Sequence, residues 1–515
     1  MELYFGMNFE GHDTALFVLN PQEKDVFAIS TERITRYKHD TIFPLPSIEK
    51  YIEYSGINAA KVERVICGNS KVMQQSSRSR LNHYEREMFF RNFFKEDFLK
   101  GYIQKKAKFE SSSKLNRFWN LFKNRKYRTY QNIEKSVETI FQKDLLFNTL
   151  KKYFPNALIE LNYIDHEKCH AISSYITSPF QGEALLITMD GHGDHNCFSR
   201  AYIVKDNQLV QVSESISPDK FINFTGKYTK YWDECSIGGM YTYFTWKLGF
   251  TPNADEGKVE ALAAFGNYKN EIYDKLWQCF SISENAINIG IQVHKEEVEI
   301  LFSQDEFNEF IKKYKKEDIA AAIQKFLEEF MLQYIKKLIE KTGIKKLCFS
   351  GGVFANVILN LRVFEELTDE LYIIPAMADD GSAEGACYAA CLNDGNTLND
   401  LAWLKQKHMP YFGTAYSSIQ VHEVLKKNPN VNYTDLQDTW PEKAAELVSE
   451  GKIGAIFYGK MEWGPRALGN RSLLADPRGT EIKSQVNAIK RRQQFRPFAP
   501  VILAEHADQY FDMPS

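Results

Sequence analysis

The sequence predicts a mixed α/β fold in which one unit of strands occurs twice. Three short apolar runs near the amino terminus, separated by polar turns, predict strands at Leu3 to Met7, Ala15 to Asn20 and Asp25 to Ser30. The same succession of strand, polar loop, strand, turn and strand returns between Ala184 and Ser213. Strands then alternate with helical patterns, which is typical of an α/β protein.

The first loop of each copy carries Gly, His and Asp together. These loops are Gly11-His-Asp13 in the first copy and Asp190-Gly-His-Gly-Asp-His195 in the second. Internal duplication of such a unit is typical of the actin-like ATPase superfamily, in which two related halves close over a nucleotide. We therefore expect residues 1–395 to form one domain of this kind. A chance similarity of two strand units is the alternative.

The later elements of this domain follow in order. Apolar residues at helical spacing predict a core helix from Ile319 to Ile339. Two strands then run into glycine-containing helix starts: Lys346 to Phe349 leads to Ser350-Gly-Gly352, and Leu371 to Ile374 leads to Asp379-Asp-Gly381. Glycine at a helix entrance lets backbone N–H groups approach an anion.

A second α/β segment begins near the carboxy terminus. Residues 396–438 are polar and poor in motifs, so we expect a linker there. Thr439 can cap a helix that has Pro441 in its first turn and ends at Gly451. The predicted second domain comprises residues 439–515.

Composition excludes several classes of protein. The chain has 515 residues, with 64 Lys+Arg against 67 Asp+Glu and a net charge of −3, so it is not a globally basic nucleic-acid binder. Its 8 cysteines include no C-x-x-C pair, which argues against zinc ribbons and disulfide scaffolds. No apolar run is long enough to span a membrane, and the amino terminus lacks a signal-peptide pattern. We expect a cytoplasmic protein with no membrane partner.

One segment departs from this ordinary charge balance. Between Lys100 and Tyr130, inside an insertion at about 95–150, ten basic residues and one acidic residue are interleaved with aromatic side chains. Such a segment could bind nucleic acid through phosphate contacts and stacking. A solvated amphipathic helix is the commoner structure for a charge run of this kind.

A candidate metal site begins with His166 and His170. They stand four residues apart after Asp165, a good helix cap, so both imidazoles share one helical face. Asp190 ends a predicted strand, and Asp379 or Asp380 opens a glycine loop, where a carboxylate could complete the ligand set. Imidazole with carboxylate suits iron, manganese or zinc better than calcium. A histidine pair satisfied by other hydrogen bonds is the alternative.

Two further motifs are weaker. Glu256-Gly-Lys258 precedes a run of small residues, which indicates a glycine turn at a helix start with Lys258 as a phosphate contact. Gly351 and Gly352, followed by Asn356, form a similar junction. A surface turn and tight helix packing, respectively, are the alternatives.

The densest signal lies between Tyr458 and Pro500. Three glycines, a proline and several cations in Tyr458 to Ser472 predict a fixed, turn-rich loop. Arginine offers a planar fork for phosphate oxygens, so the cations of this region could bind a small phosphorylated anion. They are Lys460, Arg466, Arg471 and Arg496. A cluster of structural salt bridges is the alternative.

These residues strongly resemble the carboxy-terminal domain of the O-carbamoyltransferases that act on nodulation factors and on antibiotics such as tobramycin, novobiocin and cephamycin. Further stretches agree in the family's order along nearly the whole chain. They are Gly11-His-Asp-Thr-Ala15, Glu32-Arg33, Arg36-Tyr-Lys-His-Asp40, Phe43-Pro44, the His166–His170 pair, Asp190-Gly-His-Gly193, Glu256-Gly-Lys258, Ser350-Gly-Gly352 with Asn356, and Asp379-Asp-Gly381.

The resemblance implies an actin-like domain similar to the threonylcarbamoyl-transferring tRNA-modification proteins, followed by a YrdC-like α/β domain. In the family, carbamoyl phosphate binds the YrdC-like domain and reacts with ATP to give carbamoyl adenylate. The amino-terminal domain then transfers the carbamoyl group to a hydroxyl at an iron or similar divalent centre. Iron(II) is therefore favoured, manganese and zinc are alternatives, and ATP with magnesium is a co-substrate.

The resemblance also implies roles for single residues. The metal ligands would be His166, His170, Asp190 and Asp379. His12, near the acceptor hydroxyl as its base, would act with Lys38 and His39 as the catalytic group. The nucleotide would contact Gly191, Gly193, Gly257, Lys258, Gly351, Gly352, Asn356 and Asp380. Carbamoyl phosphate would bind Lys460, Arg466, Arg471 and Arg496.

Family members usually continue with motifs that help to close the YrdC-like site, so we expect residues 439–515 to form a partial domain. Adenylate formation by this chain alone is then an open question. Two other functions also stay open: carbamoylation-type modification of a nucleotide or nucleic acid, and non-catalytic nucleotide binding. The acceptor would be a hydroxylated small molecule or glycan, and a homodimer is one of the oligomeric states that the sequence allows.

Overall fold

The computed structural model describes residues 1–9, 13–40, 43–70, 146–218, 236–284, 289–301, 304–407 and 410–512. His12 and the basic segment 100–130 lie outside the described residues, so the hypotheses about them stay predictions.

Five strands form the first sheet. They are β1 Glu2–Asn8, β2 Ala15–Asn20, β3 Asp25–Ser30, β4 Arg64–Asn69 and β5 Leu158–Tyr163. Their order is β3-β2-β1-β4-β5. The pairs β1/β2 and β2/β3 are antiparallel, whereas β1/β4 and β4/β5 are parallel.

The second sheet has seven strands. They are β6 Leu185–Met189, β7 Cys197–Lys205, β8 Gln208–Ile216, β9 Phe280–Glu284, β10 Ile289–Val293, β11 Leu347–Ser350 and β12 Leu371–Ile373. Their order is β12-β11-β6-β7-β8-β10-β9. Five neighbouring strands of this sheet, in the order β12-β11-β6-β7-β8, repeat the arrangement of the first sheet. The partners on one side of β6 are antiparallel and those on the other side are parallel. The duplication and the mixed α/β class predicted from the sequence are therefore confirmed.

Besides the helical residues 146–153, the α-helices of the described residues connect and cover these sheets. They are α1 Glu32–Thr35, α2 Leu45–Ser55, α3 His166–Ile176, α4 Ile237–Lys247, α5 Glu256–Ala263, α6 Asn270–Cys279, α7 Lys295–Leu301, α8 Gln304–Lys313, α9 Lys316–Thr342, α10 Val357–Glu366, α11 Asp379–Asn393, α12 Ser418–Lys426, α13 Trp440–Ser449, α14 Ile482–Ile489 and α15 Ala507–Tyr510. The predicted core helix is α9, which ends at Gly343 in the left-handed conformation.

Helices α3 and α11 lie between the two sheets. One hydrophobic cluster joins residues of both sheets to both helices, among them Phe17, Leu186 and Tyr388. The two helices approach so closely that a Cβ at Gly385 would lie 1.8 Å from the carbonyl oxygen of Cys169. Separate clusters pack α2 against the outer face of the first sheet and α9 against that of the second. The layer order is therefore helix, sheet, helix pair, sheet, helix.

The carboxy-terminal residues form smaller elements. Helix α13 begins after Thr439, as the sequence predicts, although the Thr439 side chain makes no capping hydrogen bond. Strands β13 Gly454–Phe457 and β14 Arg471–Leu474 form an antiparallel pair. The predicted linker contains α12, whose start is held by a capping box between Ser417 and Gln420. Within the described part of the chain, no helix has the length and hydropathy needed to cross a membrane.

Candidate metal centre and its surroundings

The predicted metal ligands meet where the two halves face each other. Asp165 caps α3 by accepting a hydrogen bond from the backbone N–H of Lys168, as expected, and His166 and His170 occupy the first turns of that helix. Asp190 directly follows β6, and Asp379 opens α11. Because α3 and α11 lie between the sheets, their first turns bring His166, His170 and Asp379 to the end of β6, where Asp190 lies.

The four ligand atoms lie within 4.8 Å of one another. Nε2 of His166 is 3.5 Å from Oδ2 of Asp190 and 3.4 Å from Oδ1 of Asp379. Nε2 of His170 is 3.4 Å from Oδ2 of Asp190 and 3.2 Å from Nε2 of His166. Both histidines are fully buried. Two imidazole nitrogens and two carboxylate oxygens therefore converge from three separate elements.

The charges at this site support one another. Burial alone would lower the pKa of His170, but the carboxylates of Asp190 and Asp379 outweigh it and raise that pKa. For Asp190, burial and the repulsion of Asp379 are outweighed by the two histidines, so its pKa is lowered. The buried carboxyl of Glu167, next to His166 on α3, accepts a hydrogen bond from Thr188, and burial raises its pKa to about 7.

These residues fit a divalent metal ion. The hydroxyl of Ser350, at the end of β11, lies 2.9 Å from Nδ1 of His170 and fixes the ring with Nε2 toward the carboxylates. Two nitrogen and two oxygen donors form a set that first-row divalent ions accept. The structure therefore brings together all four ligands that the sequence predicts.

A second polar group lies beside Asp379 on the side of the first sheet. Asp380 accepts a hydrogen bond from the hydroxyl of Ser30 at 3.1 Å, and burial, followed by the charge of Asp13, raises its pKa to about 7. Asp13 in turn lies 2.7 Å, Oδ1 to Nδ1, from His39. Asp13 and His39 both have positive φ angles, 62° and 55°. Such strained backbone is common at functional sites.

Of the other predicted catalytic residues, Lys38 reaches across to the second half. Its Nζ is 3.5 Å from the carbonyl oxygen of Ala254, just before α5. The structure thus places His39 with Asp13, but Lys38 at the rim between the halves.

The glycine loops after β6 and β11 surround Asp190. The backbone N–H of Gly191 donates to Oδ1 of Asp190 at 2.7 Å, and a Cβ at Gly352 would lie 3.2 Å from the same oxygen. Gly351 has φ 100°, and a Cβ there would lie 2.3 Å from the carbonyl oxygen of Met189. Gly193 donates its N–H to Cys197 at 2.6 Å. The loops that carry Gly191 and Gly352 therefore lie next to Asp190, a predicted metal ligand.

The remaining predicted nucleotide residues have structural contacts of their own. Lys258 forms an ion pair with Asp255 at 2.7 Å, and Gly257 lies within the first turn of α5. Asn356 caps α10 and exchanges two hydrogen bonds with Gln324. These contacts join neither motif to the four-ligand cluster.

A comparison with protein families decides what kind of protein carries this site. The carbamoyltransferase amino-terminal model matches residues 4–389, and the carbamoyltransferase carboxy-terminal model matches residues 445–515. The chain belongs to the carbamoyltransferase family. It is therefore an enzyme of the carbamoyl-transfer class.

The chain is also similar to curated proteins and to solved structures. An uncharacterized protein of Methanocaldococcus jannaschii is 34% identical over 98% of this chain and 82% of its own length. Nodulation protein NolNO of Sinorhizobium fredii is 29% identical over 69% of this chain and 49% of its own length. Among solved structures, full-length HypF in its phosphate- and nucleotide-bound form is 16% identical over 51% of this chain and 50% of that chain, with a TM-score of 0.34.

The cation-rich loop of the carbamoyltransferase, Tyr458–Ser472, is organised by its own polar groups. Oε1 of Glu462 accepts the backbone N–H groups of Leu468, Asn470 and Arg471 at 2.8, 2.9 and 3.1 Å. The guanidinium of Arg471 donates to the carbonyl oxygen of Tyr458 at 2.7 Å and lies over the Phe457 ring at 3.6 Å. Arg471 thus holds the loop together.

The other predicted anion ligands of the carbamoyltransferase have contacts that differ from those of Arg471. Lys460 and Arg466 are exposed, and Arg466 donates to the carbonyl oxygen of Ala355, in the loop after β11, at 3.2 Å. Arg496 lies near Arg492, and burial together with the charge of Arg496 lowers the pKa of Arg492. Arg466 therefore connects the loop to the glycine motif of the first domain.

Several contacts at the candidate site of the carbamoyltransferase were not predicted. Asp13 belongs to the Gly-His-Asp motif, which was interpreted as a repeated loop. Ser350 belongs to the Ser-Gly-Gly motif, which was interpreted as a glycine-containing helix start. Glu384 is fully buried on α11, where it accepts a hydrogen bond from the Trp463 indole. A single carboxylate in the otherwise small and apolar run from Ala383 to Cys391 is the signal that could have indicated a buried partner.

Proposed function

We propose that this carbamoyltransferase is an ATP-dependent O-carbamoyltransferase that acts on a hydroxylated small molecule or glycan. The observation that carries the proposal is the convergence of two histidines and two aspartates between the duplicated halves of a family member. The predicted YrdC-like segment would supply the cations that bind carbamoyl phosphate.

The proposed chemistry has three steps. Water cleaves the phosphate from carbamoyl phosphate, which leaves carbamate and inorganic phosphate. A carbamate oxygen attacks the α-phosphorus of ATP and displaces pyrophosphate, so carbamoyl adenylate forms. The acceptor oxygen then attacks the carbamoyl carbon, AMP leaves with the electron pair of the broken C–O bond, and a base takes the hydroxyl proton. Adenylation is needed because carbamate is a poor acyl donor.

The residues divide this work between two regions. In the first domain, His12 would be the base and would act with Lys38 and with His39, which Asp13 orients. A divalent ion held by His166, His170, Asp190 and Asp379 would polarise a carbonyl or lower the pKa of a hydroxyl. In the second region, Lys460, Arg466 and Arg496 would offset the negative charge of the phosphate groups.

We favour iron(II) in the centre, with manganese or zinc as alternatives, and magnesium with the ATP. The glycine loops beside Asp190 would contact the nucleotide, since they lie between the metal ligands and Arg466. We place the reaction in the cytoplasm.

The test needs no acceptor. The protein is incubated with ATP, magnesium, iron(II) and carbamoyl phosphate, and AMP, pyrophosphate and phosphate are followed by phosphorus NMR. We expect pyrophosphate release that depends on carbamoyl phosphate and falls at least about tenfold in Arg466→Ala, since one charge-assisted contact contributes roughly 1.5 to 3 kcal/mol.

Arg478→Ala is the matched control. Arg478 is an exposed arginine of the same region, but its guanidinium is bound to Asp476 at 2.9 Å, so we expect no change in the rate. ATP binding without pyrophosphate release in the parent protein would contradict the adenylation step and favour non-catalytic nucleotide binding.

A further inference from the structure

Trp463 belongs to the cation-rich loop but is buried in the first domain. It is 1% exposed, whereas Tyr458 of the same loop and Phe457, which precedes the loop, are 57% and 64% exposed. Its ring lies 6.2 Å from that of Phe17 on β2, within the hydrophobic cluster between the two sheets. The loop is therefore attached to the layer that carries the metal ligands.

The attachment includes a hydrogen bond to α11. Nε1 of Trp463 donates to Oε2 of Glu384 at 2.8 Å, and the hydroxyl of Tyr388 donates to Oε1 at 3.0 Å. Glu384 is fully buried, and no described cation forms an ion pair with it. Burying a polar carboxyl group in this way is costly whether or not it is protonated, and an apolar side chain would fill the same volume at less cost. We therefore attribute the carboxyl group of Glu384 to its role in fixing the indole of Trp463, and not to the stability of the fold.

The next residue is attached to the turn before α11. Gly464 has φ 105°, and a Cβ there would lie 2.5 Å from the carbonyl oxygen of Pro375. The guanidinium of Arg33 donates to the carbonyl oxygen of Gly464 at 3.0 Å. Trp463 and Gly464 thus contact the chain on both sides of Asp379, at the turn that precedes it and at the helix that follows it.

The preceding residue organises the loop. Glu462 accepts three backbone N–H groups of the loop with one carboxylate oxygen, as described above. Three consecutive residues therefore link the cation-rich loop to both sides of a predicted metal ligand. A small displacement of α11 would be passed to the loop because the intervening contacts are buried and closely packed.

We propose that Glu384, Trp463 and Gly464 form a latch that keeps the cation-rich loop in register with the four-ligand cluster, with Glu384 as its positioning residue. The proposal rests on the proposed function, in which an activated carbamoyl group passes between these two places. A labile intermediate is protected from water when the donor and acceptor sites stay in fixed register.

The test follows Trp463 itself. The full chain is labelled with 5-fluorotryptophan, and Trp463→Phe identifies the fluorine resonance of this residue. Zinc is then added, and equilibrium dialysis measures its stoichiometry. We expect the Trp463 resonance to shift as one zinc ion binds per chain, because the ion draws Asp379 and the start of α11 toward the histidines.

Variants at Glu384 separate a latch from a merely structural contact. Glu384→Gln keeps an acceptor for the indole N–H, so the zinc-dependent shift should persist. Glu384→Leu removes the acceptor, and Glu384→Asp withdraws it by one methylene, so either should bind zinc and lose the shift; the second variant serves if the first does not fold. Tyr388→Phe is the control, since it removes only the other hydrogen bond to Glu384, and it should keep the shift.

The outcomes are distinct. Stoichiometric zinc binding with an unmoved Trp463 resonance in the parent protein would overturn the latch and leave the proposed function intact. Persistence of the shift in both Glu384→Leu and Glu384→Asp would also overturn it. Absence of binding of zinc, iron(II) and manganese would instead refute the metal centre of the proposed function, and the latch would fall with it.

Discussion

The imidazole of His170 owes its orientation to Ser350, whose hydroxyl lies 2.9 Å from Nδ1. Removing the hydroxyl in Ser350→Ala should lower the affinity for zinc or manganese about 10- to 100-fold, as is usual when the hydrogen-bond partner of a ligating histidine is lost. Equilibrium dialysis measures this affinity. Ser173→Ala is the matched control, since that buried hydroxyl donates to the backbone carbonyl of His170 rather than to the ring. Equal loss in both variants would mean that packing, and not ring orientation, is responsible.

Glu384 should give the protein a pH dependence of stability. Burial raises the pKa of this carboxyl to about 8, with a smaller contribution from the charge of Asp380, while the donors Trp463 and Tyr388 oppose the rise. The folded state therefore holds a proton that the unfolded state has released, so stability falls as pH rises from about 5 toward 8. Between pH 6 and 8 the loss is at most about 2 to 3 kcal/mol.

Glu384→Gln should remove this contribution. Urea unfolding of the parent and the variant at pH 6 and pH 8 measures it as the difference between the two pH-dependent changes. A variant that loses as much stability as the parent over this interval would show that Glu384 is ionised throughout and is not the source.

The ligands themselves could be predicted from the sequence, whereas the residues that orient them could not. Local spacing indicated that the two histidines share a helical face, whereas the choice of Asp379 over Asp380 as the fourth predicted ligand came from the family resemblance. The contacts of Ser350 with His170 and of Glu384 with Trp463 join residues far apart in the chain. Such pairs depend on how α3, β11 and α11 pack, which no local pattern specifies.

At the scale of elements, the contact between α3 and α11 decides whether the ligands can meet. A Cβ at Gly385 would lie 1.8 Å from the backbone oxygen of Cys169, so Gly385→Ala must push the helices apart. We expect a loss of about 3 kcal/mol of unfolding free energy or more, together with weaker metal binding. Urea denaturation and equilibrium dialysis check the two effects.

Gly257→Ala provides the comparison. Gly257 also lies in a helix, but a Cβ there would meet nothing within 4 Å, so alanine should stabilise the helix by about 0.5 to 1 kcal/mol. If both alanines cost the same stability, the close approach of α3 and α11 would not be the cause.

Element positions were predictable where apolar periodicity is strong. Strands β2 and β3 have the predicted bounds, and the core helix was correct apart from its first and last turns. Helix α12 was not foreseen, because its nine residues lie in a polar stretch and bury no side chain. Its stability comes from a local capping box rather than from a core-facing stripe, so the hydrophobic pattern carries little sign of it.

At the scale of the whole molecule, the repeated strand order places two similar halves around one centre. The duplicated pattern of strands allowed this arrangement to be predicted, but not the seating of Trp463 between the sheets. An ion at the centre would tie α3 and the loop after β6 to α11, and binding only to the folded state stabilises it. Zinc at about 100 times its dissociation constant should therefore raise the unfolding free energy by about 2.7 kcal/mol.

Neighbouring aspartates allow this to be tested within one helical turn. Asp379→Asn weakens a predicted ligand and should lose most of the zinc-dependent stabilisation, because an amide oxygen carries no charge to attract the ion. Asp380→Asn changes the adjacent carboxyl, which accepts a hydrogen bond from Ser30 instead, and should keep it. Urea unfolding with and without zinc measures both. Equal stabilisation of the two variants would place the ion elsewhere on the protein, whereas its loss in Asp379→Asn alone would establish that the centre joins the two halves.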